Sequence, residues 1–537
     1  MAIIQQMFPV SADGSYWFGE YRPTTNTQNN NGDYSYYAQS VALDPEGSIY
    51  FGGSYYQHGT GYQGRFNRDY YQHFTKLTSS GDVIFCKRRQ HADNVGANYE
   101  AMTCSRGTGD ILICGSGSTK NSSGNWVQYD GLLFKWDKDG NYGWHRSLGN
   151  NSTDNEYDHY EFIDTDSSGN IYISGEGSYM NDLYENGSCT YHTSWISSNL
   201  LVKYNSGGTL QWKKEIRKGT GCHNNSYYTA YGMDINVSPN GNIYGAGACN
   251  LAKWPSGSSG GTPECGYSGQ GFVMKLNSSG SIQWQRRIRS SHTISASPSS
   301  YTGCWVRTNF QSIGIDSNEN VYCTGENWAT SSANFGTYAN YGAHLIKYNS
   351  SGSIQWQRNW HRPSGSSGGT GVNSAIIKFD ADDNVYVCVR YSNDNPTIIH
   401  KWNSSGTHQW TRSIKRNNTR TGSSAYYAFV REFKIDKVRK AMIICGYFQH
   451  TGTDRYRSFI IRLPIDGSHT GTYGNWVYSN YSSEWTHSNT FAGNNLSITD
   501  TSGVLDIYSS SMVAREAHNS YNSANDHPIQ KSSYNNA

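Results

Sequence analysis

The ten residues NSSGSIQWQR stand at positions 277–286, and the same ten letters return at positions 349–358. In each copy a polar turn centred on glycine leads into alternating residues, with tryptophan four places after the glycine. The chain contains five such pairs: Gly140/Trp144, Gly208/Trp212, Gly280/Trp284, Gly352/Trp356 and Gly406/Trp410. Because an apolar stretch precedes each turn, the unit predicts a strand, a tight turn and a second strand.

A second hairpin pattern precedes these units, as in DSSGNIYISGEG at 166–177 and DSNENVYCTGEN at 316–327. The aspartate at the turn can accept hydrogen bonds from its own backbone, and glycine or asparagine tolerates the left-handed conformation that the turn needs. Each repeat therefore contains four antiparallel strands in two hairpins, and four strands per repeat are typical of a propeller blade.

These motifs resemble the bacterial and phage β-propeller repeat with consensus D-x-x-G-N-x-Y-V-x-G, a relative of NHL-type and quinoprotein-like propellers. The resemblance runs from about residue 35 to 480 and implies an all-β propeller fold, but it indicates almost nothing about function. The turns after Asp316, Asp380 and Ile435 depart from the glycine consensus.

The repeats are counted from the ends of their outer hairpins. Seven repeats end near residues 91, 150, 218, 290, 362, 417 and 482, the last with a stretched hairpin around Gly467. The segment 7–22, with Gly14 at the turn and Phe18 in the aromatic slot, is interpreted as an outer hairpin. The segment 494–511, with Gly503 at the turn, is interpreted as an inner hairpin.

From this count we expect one propeller domain over residues 1–512, most simply with eight four-stranded blades. Residues 1–22 and 490–512 would jointly form the eighth blade and close the ring, which leaves no open edge. Seven blades are the alternative. Residues 513–537 are polar without a strand pattern, and we expect them to form a C-terminal tail or arm.

The charge balance and the cysteines restrict the partners and the compartment. The 43 Lys and Arg residues nearly match the 41 Asp and Glu residues, without a basic block, so we expect neither nucleic acid nor membrane insertion. The amino terminus lacks a signal-peptide pattern, which favours folding in a cytoplasm. Several of the 11 cysteines fall in apolar runs and are interpreted as buried thiols, while Cys249 with Cys265, or Cys189 with Cys222, are possible loop pairs.

Short turns join the first strand to the second and the third to the fourth, so they share one face of the disc. The long, irregular links share the other face, and we place any binding surface there. Aromatic residues predicted in or beside these links are the candidate ligand contacts, although they can instead fold back over the disc. They are Tyr55, Tyr56, Tyr62, Tyr70, Trp126, Tyr179, Trp195, Trp254, Trp328, Tyr338 and Trp360.

Catalytic and metal-binding signals are weak, so the sequence predicts no catalytic residue, no cofactor and no metal. Neither GxSxG nor HExxH occurs. The carboxylate pair Asp158/Glu161 is interpreted as polar linker, and the aspartates at 380–384 as a β-turn. Three histidines, His292, His344 and His361, are candidates to meet over the central channel.

The composition favours a non-enzymatic structural or adhesive virion protein of a bacteriophage, such as a tail, tail-fibre or capsid-decoration component. It would fold in the host cytoplasm, reside in the virion (or otherwise be extracellular), and bind other virion proteins, itself or a host-surface glycan. This hypothesis rests on analogy. The alternatives are a bacterial carbohydrate-binding, lectin-like propeller and a propeller glycan hydrolase or lyase.

Overall fold

The structure is a computed structural model of the chain, and every regular element among its described residues is a β-strand. For the ends of many strands it describes the backbone alone. The described residues are 6–9, 16–23, 33–58, 69–90, 97–120, 126–149, 158–180, 195–218, 230–250, 269–290, 305–330, 339–361, 372–391, 396–416, 428–449, 456–481, 486–488, 498–502, 505–509, 513–515, 525–526 and 529–531.

The strands are numbered in chain order. They are β1 Gln6–Pro9, β2 Trp17–Pro23, β3 Asp33–Tyr36, β4 Ser40–Leu43, β5 Ile49–His58, β6 Asp69–Leu77, β7 Val83–Gln90, β8 Ala97–Cys104, β9 Ile111–Lys120, β10 Trp126–Trp136, β11 Tyr142–Gly149, β12 Asp158–Thr165, β13 Ile171–Met180, β14 Trp195–Tyr204, β15 Leu210–Lys218, β16 Ala230–Val237, β17 Ile243–Asn250, β18 Gly269–Leu276, β19 Ile282–Ser290, β20 Trp305–Ile315, β21 Val321–Thr330, β22 Ala339–Tyr348, β23 Ile354–His361, β24 Val372–Phe379, β25 Val385–Tyr391, β26 Thr397–Trp402, β27 His408–Arg416, β28 Ala428–Asp436, β29 Ala441–Gln449, β30 Tyr456–Pro464, β31 Gly471–Tyr473, β32 Trp476–Asn480, β33 Thr486–Ser488, β34 Ile498–Ser502, β35 Leu505–Ser509, β36 Val513–Arg515, β37 Asn525–Asp526 and β38 Ile529–Lys531.

The chain is an all-β propeller with seven four-stranded blades, so the predicted fold class is confirmed and the eight-blade count is wrong. Blade 1 runs from β3 to β7, with β3 and β4 sharing the innermost place. Blades 2 to 6 take four strands each in order from β8 to β27, and blade 7 comprises β28, β29, β30 and β2. The seven innermost strands contact one another in a closed cycle, which brings β28 back to β4.

The ring closes differently from the split blade predicted from 1–22 and 490–512. Strand β2 pairs with β30 and takes the fourth place of blade 7, so the N-terminal segment completes an existing blade. The segment around Gly467 is no stretched fourth strand, because β32 turns away and pairs with β27 of blade 6. Both strands within 490–512 pair with other blades: β34 lies on β19 and β35 on β15.

A single C-terminal segment adds a fifth strand to every blade. Strands β32 to β38 pair antiparallel with the outermost strands of blades 6, 5, 4, 3, 2, 1 and 7, in that order, so the segment runs against the order of the blades. We call the part from β33 onward the strap. Since β36 to β38 lie beyond residue 512, strands occur also in the predicted tail; the boundary at 512 stays a prediction.

The inner hairpins explain why the repeat contains aspartate and tyrosine. In blade 3, Asp166 Oδ1 accepts hydrogen bonds from the backbone N–H groups of Ser168 and Asn170 at 3.0 and 2.9 Å, and Oδ2 accepts the Tyr172 hydroxyl at 3.1 Å. The same bonds recur around Asp316 and Asp380. The interpretation of 380–384 as a β-turn is therefore confirmed, but the expectation that its aspartates are solvated is wrong for Asp380, which is 1% exposed.

The outer hairpins join neighbouring blades, which explains the repeated decapeptide. Asn277 Oδ1 accepts the backbone N–H groups of Ser279 and Ser281, while Trp284 Nε1 donates to the carbonyl of Ser350 in the next blade at 2.9 Å. Gly352 of that next turn has φ +81°, and an added Cβ would lie 2.8 Å from the Trp284 ring. The glycine therefore provides both the turn conformation and the space for the tryptophan.

The same contact seals the ring between blades 7 and 1. Trp17 Nε1 donates to the carbonyl of Ser79 at 3.0 Å, and the Tyr21 hydroxyl donates to the carbonyl of Gly81 at 3.1 Å. Trp17 thus occupies the aromatic slot that the sequence assigned to Phe18, and Gly14 lies outside the described residues. Between blades, apolar side chains of adjacent sheets form the core, as Leu133 of blade 2 does with Ile173 of blade 3.

Candidate functional site at the mouth of the central channel

Most innermost strands carry a β-bulge in the half that lies away from the short turns. Bulges point side chains in new directions and are common beside active sites. In blades 2 to 7 the register skips Glu100, Glu161, Gly232 with Met233, Gln311, Asn373 and Arg431. The bulges therefore place a largely polar set of residues around the channel at its long-link end, which we call the mouth.

In most bulged blades a glycine of the second strand makes room for the bulge. An added Cβ on Gly175 would lie 1.9 Å from the carbonyl oxygen of His159, and one on Gly325 would lie 1.9 Å from that of Asn309. Blade 6 has Val389 at this place, and its bulge moves toward the start of the strand. The last glycine of the consensus motif is thus required by the shape of the mouth.

Blades 2 and 3 form an acidic side of the mouth. His159 Nε2 lies 3.2 Å from Glu161 Oε1 and 3.8 Å from Glu176 Oε2. Burial opposes protonation of His159, but the hydrogen bond and charge of Glu161 outweigh it and raise the pKa of the imidazole. Burial raises the pKa of Glu100 and of Glu176, and the charge of Glu161 raises both further.

Blades 6 and 7 form a basic side. Arg431 Nη2 lies 4.0 Å from Glu100 Oε2, so this ion pair joins blade 7 to blade 2 over the innermost strand of blade 1. The guanidinium of Arg390 lies 4.9 Å from the centre of the Phe429 ring. Arg431 is the more accessible of the two cations, with 37% of its side chain exposed.

Deeper in the channel lies a second ionic layer. The Glu432 carboxylate forms ion pairs with Lys378 Nζ at 3.6 Å and with Lys434 Nζ at 3.8 Å. Burial opposes the charge of Glu432, but the two lysines outweigh it and lower its pKa. Asp234 accepts hydrogen bonds from Ser312 Oγ and the backbone N–H of Ile313, yet burial raises its pKa to about 6.

The predicted aromatic contacts are mostly beyond what the structure describes. Tyr62, Trp254 and Tyr338 lie outside the described residues. A further group lies in strands of which only the backbone is described, and these residues stay predictions: Tyr55, Tyr56, Tyr70, Trp126, Tyr179, Trp195 and Trp328.

Trp360 is a candidate ligand contact whose side chain the structure buries. Trp360 lies in the fourth strand of blade 5 and is 1% exposed. The centre of its ring lies 5.1 Å from that of Trp402 in the core. The predicted meeting of histidines over the channel is wrong for His344, which is buried on a third strand. His361 lies on a fourth strand, away from the axis, and His292 lies outside the described residues.

The charged mouth was not predicted from the sequence. The pair Asp158/Glu161 was interpreted as linker, but both residues lie in the innermost strand β12. The signal that could have located them is the glycine consensus, since the strand opposite that glycine carries the bulge. The outer residues of the mouth are two carboxyls whose pKa is raised, one imidazole bonded to a third carboxylate, and two guanidinium groups. Such a set can bind hydroxyl groups and can transfer a proton.

The described residues contain neither a metal-ligand cluster nor a membrane-spanning helix. Over these ranges, no three His, Cys, Asp or Glu side chains are grouped so as to hold a metal ion. Over the same part of the chain, no helix has the length and apolarity to cross a membrane.

No protein-family model matches the chain, and no curated protein matches it. It is similar to the solved structure of polysaccharide lyase Uly1 at 9% identity and TM-score 0.41, covering 86% of this chain and 98% of that one. It is also similar to a Penicillium chrysogenum alpha-L-arabinanase complexed with arabinobiose, at 12% identity and TM-score 0.33, covering 69% of this chain and 91% of that one. A third similar structure is the tail fibre of Staphylococcus aureus phage P68, at 9% identity and TM-score 0.15, covering 74% of this chain and 96% of that one. At these TM-scores the similarities carry no argument about function.

Proposed function

We propose that the chain is a non-enzymatic recognition component of a bacteriophage particle, which presents the mouth and the long-link face of a rigid disc to a host-surface glycan. It folds in the host cytoplasm and acts outside the cell after release. Other virion proteins, or further copies of this chain, hold it in the particle.

The observation that carries this proposal is a disc held closed by its strand pairing, with no disulfide among the cysteine side chains that the structure describes. The N-terminal strand closes the ring, and a C-terminal segment pairs with all seven blades. The six cysteines whose side chains are described have free thiols, and burial raises the pKa of the Cys388 thiol to about 12. Such a disc can fold in a reducing cytoplasm and persist outside the cell, where marginally stable proteins are lost.

The two faces carry different kinds of residue, which supports the recognition role. On the short-turn side the repeated residues bond neighbouring blades, so they serve the fold. At the mouth the bulged residues differ from blade to blade although the backbone repeats. Carboxylates and guanidinium groups around a concave opening suit a polyhydroxylated ligand.

Two measurements test this role. Antibodies against the disc should label purified phage particles in electron micrographs, and detection only in the soluble fraction of lysed cells would refute the virion assignment. Labelled protein should adhere to host cells and lose most of its adhesion in the Arg431→Ala or Glu161→Gln variant. Glu46→Gln is the control, since Glu46 is an exposed residue of a short turn on the opposite face. Equal adhesion of all three variants would refute recognition at the mouth.

A glycan hydrolase or lyase is the second candidate, and the pair Glu100 and Glu161 favours it. Burial raises the pKa of Glu100, as suits a general acid, while Glu161 is hydrogen-bonded to His159. Incubation with host polysaccharide should then release reducing ends, and Glu100→Gln should reduce the rate at least a hundredfold. No release by the unaltered chain, or equal release by Glu100→Gln, would reject this candidate.

A further inference from the structure

The C-terminal segment begins with a firmly packed strand, β32 (Trp476–Asn480), which we call the root. Trp476 and Tyr478 of β32 are 1% and 0% exposed, and Trp476 Nε1 donates to Glu20 Oε1 at 3.0 Å. The hydroxyl groups of Ser479 and Ser413 are 2.9 Å apart, which adds a bond to blade 6. The root therefore belongs to the core between blades 6 and 7.

Beyond the root, the described strands of the strap pair with the blades in short backbone ladders. Strands β34 and β35 pair over five residues each, β33, β36 and β38 over three, and β37 over two. Each backbone hydrogen bond contributes about 1 kcal/mol net, so each ladder alone is weak. The described pairing of the strap is therefore divided among six separate ladders.

The propeller is complete without the strap. Every blade that the strap borders already has four strands, and β2 pairs with β30 over five residues to close the ring. The contacts from Trp17 to Ser79 and from Trp284 to Ser350 also join blades without it. Lifting the strap would expose six strand edges but would open no blade.

We propose that the strap is an exchangeable arm, which undocks without opening the propeller and docks equally on the rim of a second copy of this chain. The edges it covers are outer strands of one repeated blade, so a second copy offers the same edges in the same order. Backbone pairing of this kind is β-augmentation, which needs an extended segment and an open edge. At about 3.3 Å per extended residue, the strap can span roughly 150 Å, enough to reach a neighbouring disc. This inference does not rest on the proposed function.

Hydrogen exchange on the unaltered chain tests undocking. Amides of the outer strands that face the strap, such as those of β15 and β19, should exchange sooner than amides of the second strands β13 and β17. The six ladders should open together. If the outer-strand amides exchange only with the second-strand amides, the strap does not undock separately and the inference is wrong.

Mixing two tagged pools of the full chain tests exchange. After incubation at high concentration in mild denaturant, the second tag should co-purify with the first. The matched control is Arg289→Cys with Thr499→Cys, residues directly opposed in the β19–β34 register, oxidised before mixing so that the strap is locked. Locking should reduce co-purification at least tenfold, and reductant should restore it. No co-purification, or co-purification that locking leaves unchanged, would overturn the proposal.

Discussion

His344 is a buried base that the fold does not need. It lies on the third strand of blade 5, opposite Gly325, is 0% exposed, and neither ring nitrogen has a hydrogen-bond partner among the described residues. Burial lowers its pKa from 6.5 to about 3. At the matching place, opposite the same glycine, other blades have buried apolar residues: Leu132, Leu200, Phe272 and Phe459.

The shift of the His344 pKa fixes the direction and size of a pH effect on stability. Above about pH 6.5 the imidazole is neutral in both states and contributes no pH dependence. Between about pH 6.5 and pH 3 the unfolded chain binds a proton that the folded chain cannot bind, so the free energy of unfolding falls as the pH falls. At about 1.4 kcal/mol per pH unit, the loss is about 2 kcal/mol at pH 5.

The variant His344→Leu should therefore be more stable, and increasingly so in acid. Removing an unpaired buried polar group should raise the free energy of unfolding by about 1–3 kcal/mol at pH 8. The advantage should grow by about 2 kcal/mol at pH 5, because the variant no longer has this proton-binding difference. Urea unfolding followed by tryptophan fluorescence measures the difference in free energy of unfolding between the variant and the parent chain at each pH.

His73 provides the matched control on the third strand of blade 1. It occupies the same place opposite Gly53, but its ring nitrogens lie 2.7 Å from the Tyr36 hydroxyl and 2.9 Å from the carbonyl of Tyr37. His73→Leu should therefore lose about 1–3 kcal/mol at pH 8. If His344→Leu is less stable than the parent, or if its advantage does not change with pH, the reasoning from burial is refuted.

Further predictions concern the turns, and urea unfolding measures all of them. Gly352→Ala should cost about 2–4 kcal/mol, because φ is +81° and the Cβ would meet Trp284, whereas Gly109→Ala, with φ +73° and nothing within 4 Å, should cost only about 1 kcal/mol. Equal costs would refute the role of the tryptophan contact. Lys440→Gly should gain about 1 kcal/mol, because this exposed lysine has φ 50°. Glu319→Gly should lose stability despite φ 57°, because Glu319 accepts the Tyr244 hydroxyl at 2.6 Å, and a gain there would refute that account.

The sequence predicts the strands well and their partners poorly. Alternation and the Gly-to-Trp spacing locate the hairpins around Gly280 and Gly352, because both depend on residues close in the chain. In the last repeat Trp476 stands nine places after Gly467 instead of four, and from the sequence this longer spacing is interpreted as a stretched hairpin. In the structure the strand that contains Trp476 pairs with blade 6 instead. Which edge a strand joins depends on which edge is open once the ring has formed, and local pattern contains no such information.

The mouth was missed because its residues break the repeat. The fold requires only a bulge and a facing glycine at this level, so the bulged side chain is free to differ, as Glu100, Glu161, Gln311 and Arg431 do. Repetition therefore identifies the residues that join the blades, and it directs attention to the short-turn side. Differences at equivalent places identify the side chains that the scaffold does not need, and in a propeller these are where a ligand-specific function can arise.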